Sequence, residues 1–178
     1  FEAGGHNGRE ETTTLVLVPM VRDAVGIPLI AAGGICDGRS MLAAMALGAD
    51  GVQVGSRFVC SEESSAHPAF KEQVAQAGEG DTLLTLKEIT PVRLLKNAFF
   101  NRVQSAYNQG VDVDGLKELL GRGRAKKGMF EGDLDEGELE IGQVSGRFSE
   151  VLPAARILEQ MISEYEAARG QLCALPSA

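Results

Sequence analysis

Glycines and a hydroxyl side chain end two short apolar segments of the chain, a pattern that suits anion binding. The first segment ends in Ala32, Gly33 and Gly34, and the second ends in Gly55 and Ser56. Because glycine has no Cβ, its backbone N–H can approach a ligand closely. A helix that follows such a turn adds its positive N-terminal end. One glycine pair alone fits a simple tight turn equally well, whereas two such strand ends together favour a phosphate site.

A histidine in a glycine-rich stretch is the second candidate for chemistry. His6 lies in the sequence AGGHNG at positions 3–8 and is one of two histidines in the chain. Imidazole titrates near neutral pH and can move a proton in catalysis. By spacing alone, a merely solvated loop histidine remains an alternative. Glu10 and Glu11 are predicted to be surface charges, and His67, which precedes a proline, is predicted to be structural.

The segments that carry these residues alternate between helix and strand. The pattern predicts a helix over 16–25 with Pro19 tolerated only in its first turn, a buried strand over 27–34, a helix over 38–47 capped by Asp37, and a second strand over 51–56. Strand, helix and strand in this order indicate a parallel sheet. Two strands do not complete a sheet, and a (β/α)8 barrel typically needs about 250 residues. We therefore expect the C-terminal part of a longer α/β chain, with further strands before Phe1.

The second half of the sequence favours helices and shows no further convincing strand. Helices are predicted over 67–77, 91–107, 116–120 and 153–168. In the last of these, one apolar face is expected to contain Ile157, Leu158, Met161, Ile162 and Tyr165. Between them, residues 122–127 are strongly basic and residues 131–140 strongly acidic.

Composition excludes several classes of function. The net charge of −8 argues against nucleic-acid binding, which needs a positive field. No apolar run approaches the length of a membrane span. The three cysteines, Cys36, Cys60 and Cys173, are scattered and odd in number, which predicts a reducing cytoplasm and no structural metal site.

With these residues in view, the sequence resembles the nitronate monooxygenase (2-nitropropane dioxygenase) family, which includes the FMN-dependent enoyl-acyl-carrier-protein reductase II. The resemblance is carried by EAGGHNG at 2–8, PLIAAGGI at 28–35, LGADGVQVGSRF at 47–58 and AHPAFK at 66–71. GQVSG at 142–146 is similar to a motif near the family's C-terminal end. The AGGHNG element is the most selective of these, since many phosphate-binding flavin barrels share the glycine strand ends.

The resemblance implies the C-terminal part of a TIM (β/α)8 barrel, namely its last two strands, with a smaller helical insert. It divides the chain into barrel residues 1–60, an insert over 61–140, and a segment with a helix returning to the barrel over 141–178. It implies FMN with its phosphate on Gly33, Gly34, Gly55 and Ser56, with Ala32 and Gln53 beside the flavin. Ser56 replaces the threonine more often expected there and keeps the hydroxyl.

The same resemblance makes His6 the catalytic acid–base residue beside the flavin. Gln143 and Ser145 are candidates for substrate binding, with a polar turn between helices as the alternative. Flavin barrels of this kind sometimes need a monovalent cation, although the sequence shows no ligand set for one. A homodimer is the expected assembly.

Two family chemistries compete, and FVCSEESSAHP at 58–68 favours the reductase over oxidation of nitronates by flavin and oxygen. NADH or NADPH is then the reductant of an enoyl thioester. The cations Arg122, Arg124, Lys126 and Lys127 are candidates to contact an acyl carrier protein or an NADPH phosphate, or else form a solvated loop offset by the acidic stretch. Outside the flavin class, a sugar-phosphate barrel enzyme and a non-catalytic phosphate-binding module remain alternatives.

Overall fold

The computed structural model describes residues 4–5 and 12–174, and these contain helices, two pairs of strands and one 3-10 turn. In chain order the elements are α1 (Thr14–Ala24), β1 (Ile30–Ala32), α2 (Gly38–Ala46), β2 (Gly51–Gln53), α3 (Ser56–Val59), α4 (Pro68–Ala75), β3 (Thr82–Thr85), β4 (Val92–Leu95), α5 (Ala98–Asn108), α6 (Val113–Leu120), α7 (Arg124–Met129), the 3-10 turn Gln143–Arg147, and α8 (Ala154–Cys173). No helix in the described ranges is both long enough and apolar enough to cross a membrane.

The strands β1 and β2 pair in parallel through the crossover helix α2, so the predicted α/β class is confirmed. Ala32 lies opposite Gln53, which places the two strand ends side by side. Each strand has three residues and is therefore shorter than the predicted 27–34 and 51–56. Helix α1 begins at Thr14, earlier than predicted, so Pro19 lies inside the helix beyond its first turn.

Helix α2 begins directly after the first glycine turn because Asp37 caps it. The Ser40 N–H donates to Asp37 Oδ1 at 2.7 Å, and the Ser40 hydroxyl accepts from the Asp37 N–H at 3.1 Å. Helix α8 packs against α2 at this end, and Glu164 accepts a hydrogen bond of 2.9 Å from the Gly38 N–H. The caps hold the N-terminus of α2 beside the strand ends.

Residues 82–95 form an antiparallel hairpin, so the predicted single helix over 91–107 is wrong in its first part. β3 pairs with β4, with Thr82 opposite Leu95. All four residues of β4 are buried. The helix α5 begins only at Ala98, where the Asn97 side chain accepts from the Phe100 N–H at 2.8 Å. The spacing of Val92, Leu95 and Phe99 matches a helix, but pairing with β3 outweighs this local preference.

Only part of the predicted apolar face of α8 is buried. Ile157 and Met161 are inaccessible or nearly so, whereas Leu158 and Ile162 remain about half exposed. Helix α8 packs against α2 and α3, and these contacts leave Leu158 and Ile162 uncovered.

Candidate functional site

The two strand ends form the wall of one cavity of about 330 Å³. The six residues predicted to contact a cofactor all line it: Ala32, Gly33, Gly34, Gln53, Gly55 and Ser56. They meet because parallel β1 and β2 end in register. Gly33 and Gly34 have φ angles of 90° and 76°, in the region that favours glycine, and so turn the chain sharply after β1.

This cavity, which we call the cradle, has features that suit an anion. The N–H groups of Gly34 and Ser56 have no acceptor among the described residues. A Cβ on Gly55 would meet no atom within 4 Å, so the cavity reaches this backbone directly. None of the described residues that line the cradle has a carboxylate. Backbone donors without competing acidic groups are what a phosphate requires.

The hydroxyl of Ser56 connects the cradle to the C-terminal part of the chain. Its oxygen accepts a hydrogen bond of 2.9 Å from the Gly142 N–H. Since a hydroxyl both accepts and donates, the Ser56 proton is left for an acceptor in the cradle. Val144, two residues after Gly142, also lines the cavity.

Gly4 and Gly5, the residues just before His6, also line the cradle. The Gly5 carbonyl accepts from the Arg93 N–H at 2.7 Å. A Cβ on Gly5 would lie 3.1 Å from the backbone of Ile141, so glycine allows a close approach here. His6 itself lies outside the described residues, and its catalytic role stays a prediction.

A second cavity of about 830 Å³ adjoins the cradle and shares Gly34 and Val144 with it. Its other lining residues come from the start of α2, the 3-10 turn and the loop before β3: Cys36, Asp37, Arg39, Ser40, Glu79, Gly80, Gln143, Gly146 and Arg147. This second cavity is therefore bounded by charged side chains where the cradle is bounded by glycines.

The ionisable groups of the second cavity are held in defined states. Burial acts to raise the pKa of Asp37, but hydrogen bonds from Ser40 and Arg147 outweigh it and hold that pKa below its usual range. Burial, reinforced by the nearby Asp37 charge, raises the pKa of Cys36 to about 11. At neutral pH, Asp37 is therefore ionised and Cys36 is an inert thiol.

The sequence model of the nitronate monooxygenase family matches residues 1–164. This chain belongs to the nitronate monooxygenase family.

One curated relative is a "probable nitronate monooxygenase" of Staphylococcus saprophyticus. It is 34% identical to this chain over 174 residues, and the match covers 92% of this chain and 48% of the relative. Another "probable nitronate monooxygenase", from Bacillus subtilis, is 32% identical over 171 residues, and the match covers 92% of this chain and 49% of that relative. The chain thus spans about half the length of the curated relatives it matches. The family is one of oxidoreductases.

Solved structures of similar chains agree with the α/β fold. FabK from Thermotoga maritima is 41% identical, with a TM-score of 0.87 over 96% of this chain and 54% of that one. Nitroalkane oxidase from Streptomyces ansochromogenes is 34% identical, with a TM-score of 0.72, and the match covers 96% of this chain and 51% of that one.

The structure places the two residues predicted to bind substrate, Gln143 and Ser145, in different surroundings. Gln143 is exposed and lines the second cavity. Ser145 is fully buried, lines neither cavity, and its hydroxyl has no hydrogen-bond partner in the described part of the chain. The structure therefore brings Gln143, but not Ser145, to the site.

His67 caps the N-terminus of α4, which is a structural role of the kind predicted for it. Its Nδ1 accepts from the Ala69 N–H at 3.2 Å, and its own N–H donates to the Met129 carbonyl at 2.8 Å. Across residues 4–5 and 12–174, no group of three His, Cys, Asp or Glu side chains is placed to hold a metal ion.

The basic run 122–127 is largely neutralised by the acidic stretch that follows it. Lys126 pairs with Glu131 and Lys127 with Asp133, both at 3.0 Å. The guanidinium of Arg124 lies 4.4 Å from the centre of the Phe99 ring and donates to the Glu136 carbonyl. This arrangement favours the predicted alternative, a loop offset by its own acidic neighbours.

Sequence reasoning missed the arginines of the second cavity. Arg39 lies within α2 and Arg147 ends the 3-10 turn, and both reach Asp37. No motif marks Arg39, and no local pattern marks Arg147, because its partner Asp37 lies 110 positions earlier in the chain.

Proposed function

We propose that this chain is the C-terminal half of a flavin-dependent oxidoreductase, in which β1 and β2 are the last two strands of a TIM barrel. The observation that carries the proposal is the cradle, where all six residues predicted for the flavin line one cavity. In barrels of this class, the loops after the last strands often hold a phosphate. The double length of the relatives supports further barrel strands elsewhere in the protein.

The cradle fits the phosphate of FMN. Gly33, Gly34 and Gly55 would hold it through backbone contacts, and the Ser56 hydroxyl would donate a further hydrogen bond. Gln53 and Ala32, at the strand ends, would lie beside the flavin. When bound, FMN supplies two-electron transfer between a donor and an acceptor that do not react directly.

We infer that the reaction is reduction of an enoyl thioester in fatty acid synthesis, with NADH or NADPH as the electron source. Support comes from FabK, an enoyl-acyl-carrier-protein reductase II, which exceeds nitroalkane oxidase in both identity and TM-score. In this proposal His6 delivers the proton to the α-carbon after hydride reaches the β-carbon. Gly4 and Gly5, the two residues before His6, line the cradle.

Oxidation of alkyl nitronates is the second candidate, since the curated relatives carry that name. A nitronate needs neither a nicotinamide nor a carrier protein. The two candidates therefore differ in which compound reduces the flavin.

Anaerobic bleaching of the protein-bound flavin tests this directly. We expect NADH or NADPH to bleach the yellow colour rapidly and an enoyl thioester to restore it. Rapid bleaching by a nitronate, with none by either nicotinamide, would overturn the reductase. A colourless protein that binds no FMN would overturn the flavin proposal altogether.

The variant His6→Ala separates binding from proton transfer. We expect it to retain the flavin and to be bleached by the nicotinamide, but to lose most turnover of the enoyl thioester. Equal turnover by the variant and the wild type would remove His6 from the mechanism.

A further inference from the structure

We propose that Arg39 and Arg147 form an anion subsite in the second cavity, which binds the phosphate groups of the second substrate. The inference rests on the proposed function, because it takes the cradle as the flavin site. It assigns to two arginines the role that sequence analysis gave to the basic run 122–127. The ligand chemistry is a phosphate or pyrophosphate ester.

The position of the second cavity suits a second substrate. It shares Gly34 and Val144 with the cradle, so a ligand in it touches the wall of the proposed flavin site. Its volume of about 830 Å³ is large enough for part of a nucleotide or a pantetheine arm. Gln143 adds an amide to its lining.

The charge arrangement leaves donors available for an anion. Arg147 and Arg39 both approach the same oxygen of Asp37, Oδ2, at 3.2 and 3.5 Å. The other oxygen, Oδ1, accepts from the N–H and the hydroxyl of Ser40, each at 2.7 Å. One carboxylate thus faces two guanidinium groups, each with five N–H donors.

Both guanidinium groups are accessible to a ligand. The side chains of Arg39 and Arg147 are 69% and 55% exposed. Their planar N–H pairs match the geometry of phosphate oxygens. Glu79 also lines the cavity, so we expect the anion at the end formed by Asp37 and the arginines.

The basic run is less suited to this role because three of its four cations already pair with acidic side chains. Lys126, Lys127 and Arg124 pair with Glu131, Asp133 and Glu136. Arg39 and Arg147 share one partner between them. Two guanidinium groups facing one carboxylate make the Asp37 end of the second cavity the better anion site.

Two phosphate-bearing compounds could use the subsite, namely the nicotinamide dinucleotide and a thioester of a phosphopantetheine carrier. Steady-state kinetics of Arg147→Gln and Arg39→Gln in the flavin-loaded protein distinguish them. The three compounds varied are NADPH, a short enoyl thioester of coenzyme A, and the same acyl group on N-acetylcysteamine, which has no phosphate.

We expect KM for one phosphate-bearing compound to rise about tenfold, with kcat within about twofold, since the lost contact is the same in ground and transition states. A rise for NADPH alone identifies the nucleotide, and a rise for the coenzyme A thioester alone identifies the carrier. KM for the N-acetylcysteamine thioester should not change. Unchanged KM values for all three compounds in both variants would overturn the subsite.

Arg169→Gln is the matched control, because Arg169 is 57% exposed, pairs with Glu166 and lines neither cavity. Arg122→Gln tests the basic run separately. We expect wild-type KM values for both. A KM increase in Arg122→Gln instead of Arg147→Gln would return the role to the run.

Direct binding of inorganic pyrophosphate, measured by calorimetry, provides a readout apart from turnover. We expect the dissociation constant to rise about tenfold in either cavity variant and to remain unchanged in Arg169→Gln. If the protein binds no FMN, the proposed function fails while this measurement still tests the subsite. If FMN binds and turnover is normal but pyrophosphate binding is unaffected by the variants, only the subsite fails.

Discussion

An added Cβ would meet no described atom within 4 Å at either Gly55 or Gly26, but the two glycines lie in different parts of the molecule. Gly55 lines the cradle, whereas Gly26 lies in the exposed turn between α1 and β1. At Gly55 the φ angle is −98°, which alanine adopts without strain. The two glycines therefore separate the effect of a methyl group in the cradle from its effect on the backbone.

Gly55→Ala should weaken FMN binding without loss of stability. The methyl group would occupy space that the phosphate needs, and we expect a dissociation constant about tenfold higher, equivalent to about 1.4 kcal/mol. Flavin fluorescence titration measures this, and Gly26→Ala should bind FMN as the wild type does. Equal affinity in Gly55→Ala and Gly26→Ala would show that no ligand approaches Gly55 closely.

At the scale of elements, contact between α2 and α8 holds the first strand end in place. The backbone of Gly38, the first residue of α2, lies against the backbone of α8 at Glu164 and Tyr165, where a Cβ would clash. Glu164 also caps the Gly38 N–H. The C-terminal helix thereby fixes the start of α2, immediately after the glycine turn of the cradle.

Gly38→Ala should destabilise the protein by about 1–3 kcal/mol, because the clash involves main-chain atoms that cannot rotate away. Gly170→Ala, in α8, is the control, since a Cβ there meets nothing within 4 Å. Alanine within a helix should stabilise it by about 0.5–1 kcal/mol. Urea unfolding measures both, and equal midpoints for Gly38→Ala and the wild type would contradict the contact.

Across the whole molecule, residues 141–142 join the hairpin, the cradle and the segment before His6. The Ile141 N–H donates to the Arg93 carbonyl of β4 at 3.1 Å, and the Gly142 N–H donates to Ser56. Gly5 packs against Ile141 and accepts from the Arg93 N–H. The hairpin of β3 and β4 thus holds Gly5 in place beside Ile141.

Gly5→Ala should lower kcat with little change in FMN affinity. Its Cβ would press on the Ile141 backbone at 3.1 Å and displace the chain next to His6 by a few tenths of an ångström. Misplacement of a catalytic group reduces the rate steeply, and we expect about a tenfold loss. A variant with wild-type kcat, or with a dissociation constant for FMN raised as in Gly55→Ala, would contradict this role.

The sequence by itself determined the parts of the site that depend on local chemistry. The glycine turn at 33–34, the cap at Asp37 and the βαβ order follow from residues that are neighbours in the chain. A sharp turn after a strand calls for glycine whichever fold contains the strand. For that reason the cradle residues and the family resemblance were both accessible from the sequence.

Only the tertiary structure decided which distant residues meet. The hairpin could not be predicted from local pattern because each of its strands is stabilised by pairing with the other. In addition, the apolar residues of β4 continue the helical spacing of the apolar residues in α5, which begins shortly after it. Gln143 and Ser145 lie two residues apart in one turn, yet packing exposes the first and buries the second. Arg147 meets Asp37 across 110 positions, a contact set by the path of the whole chain rather than by any local pattern.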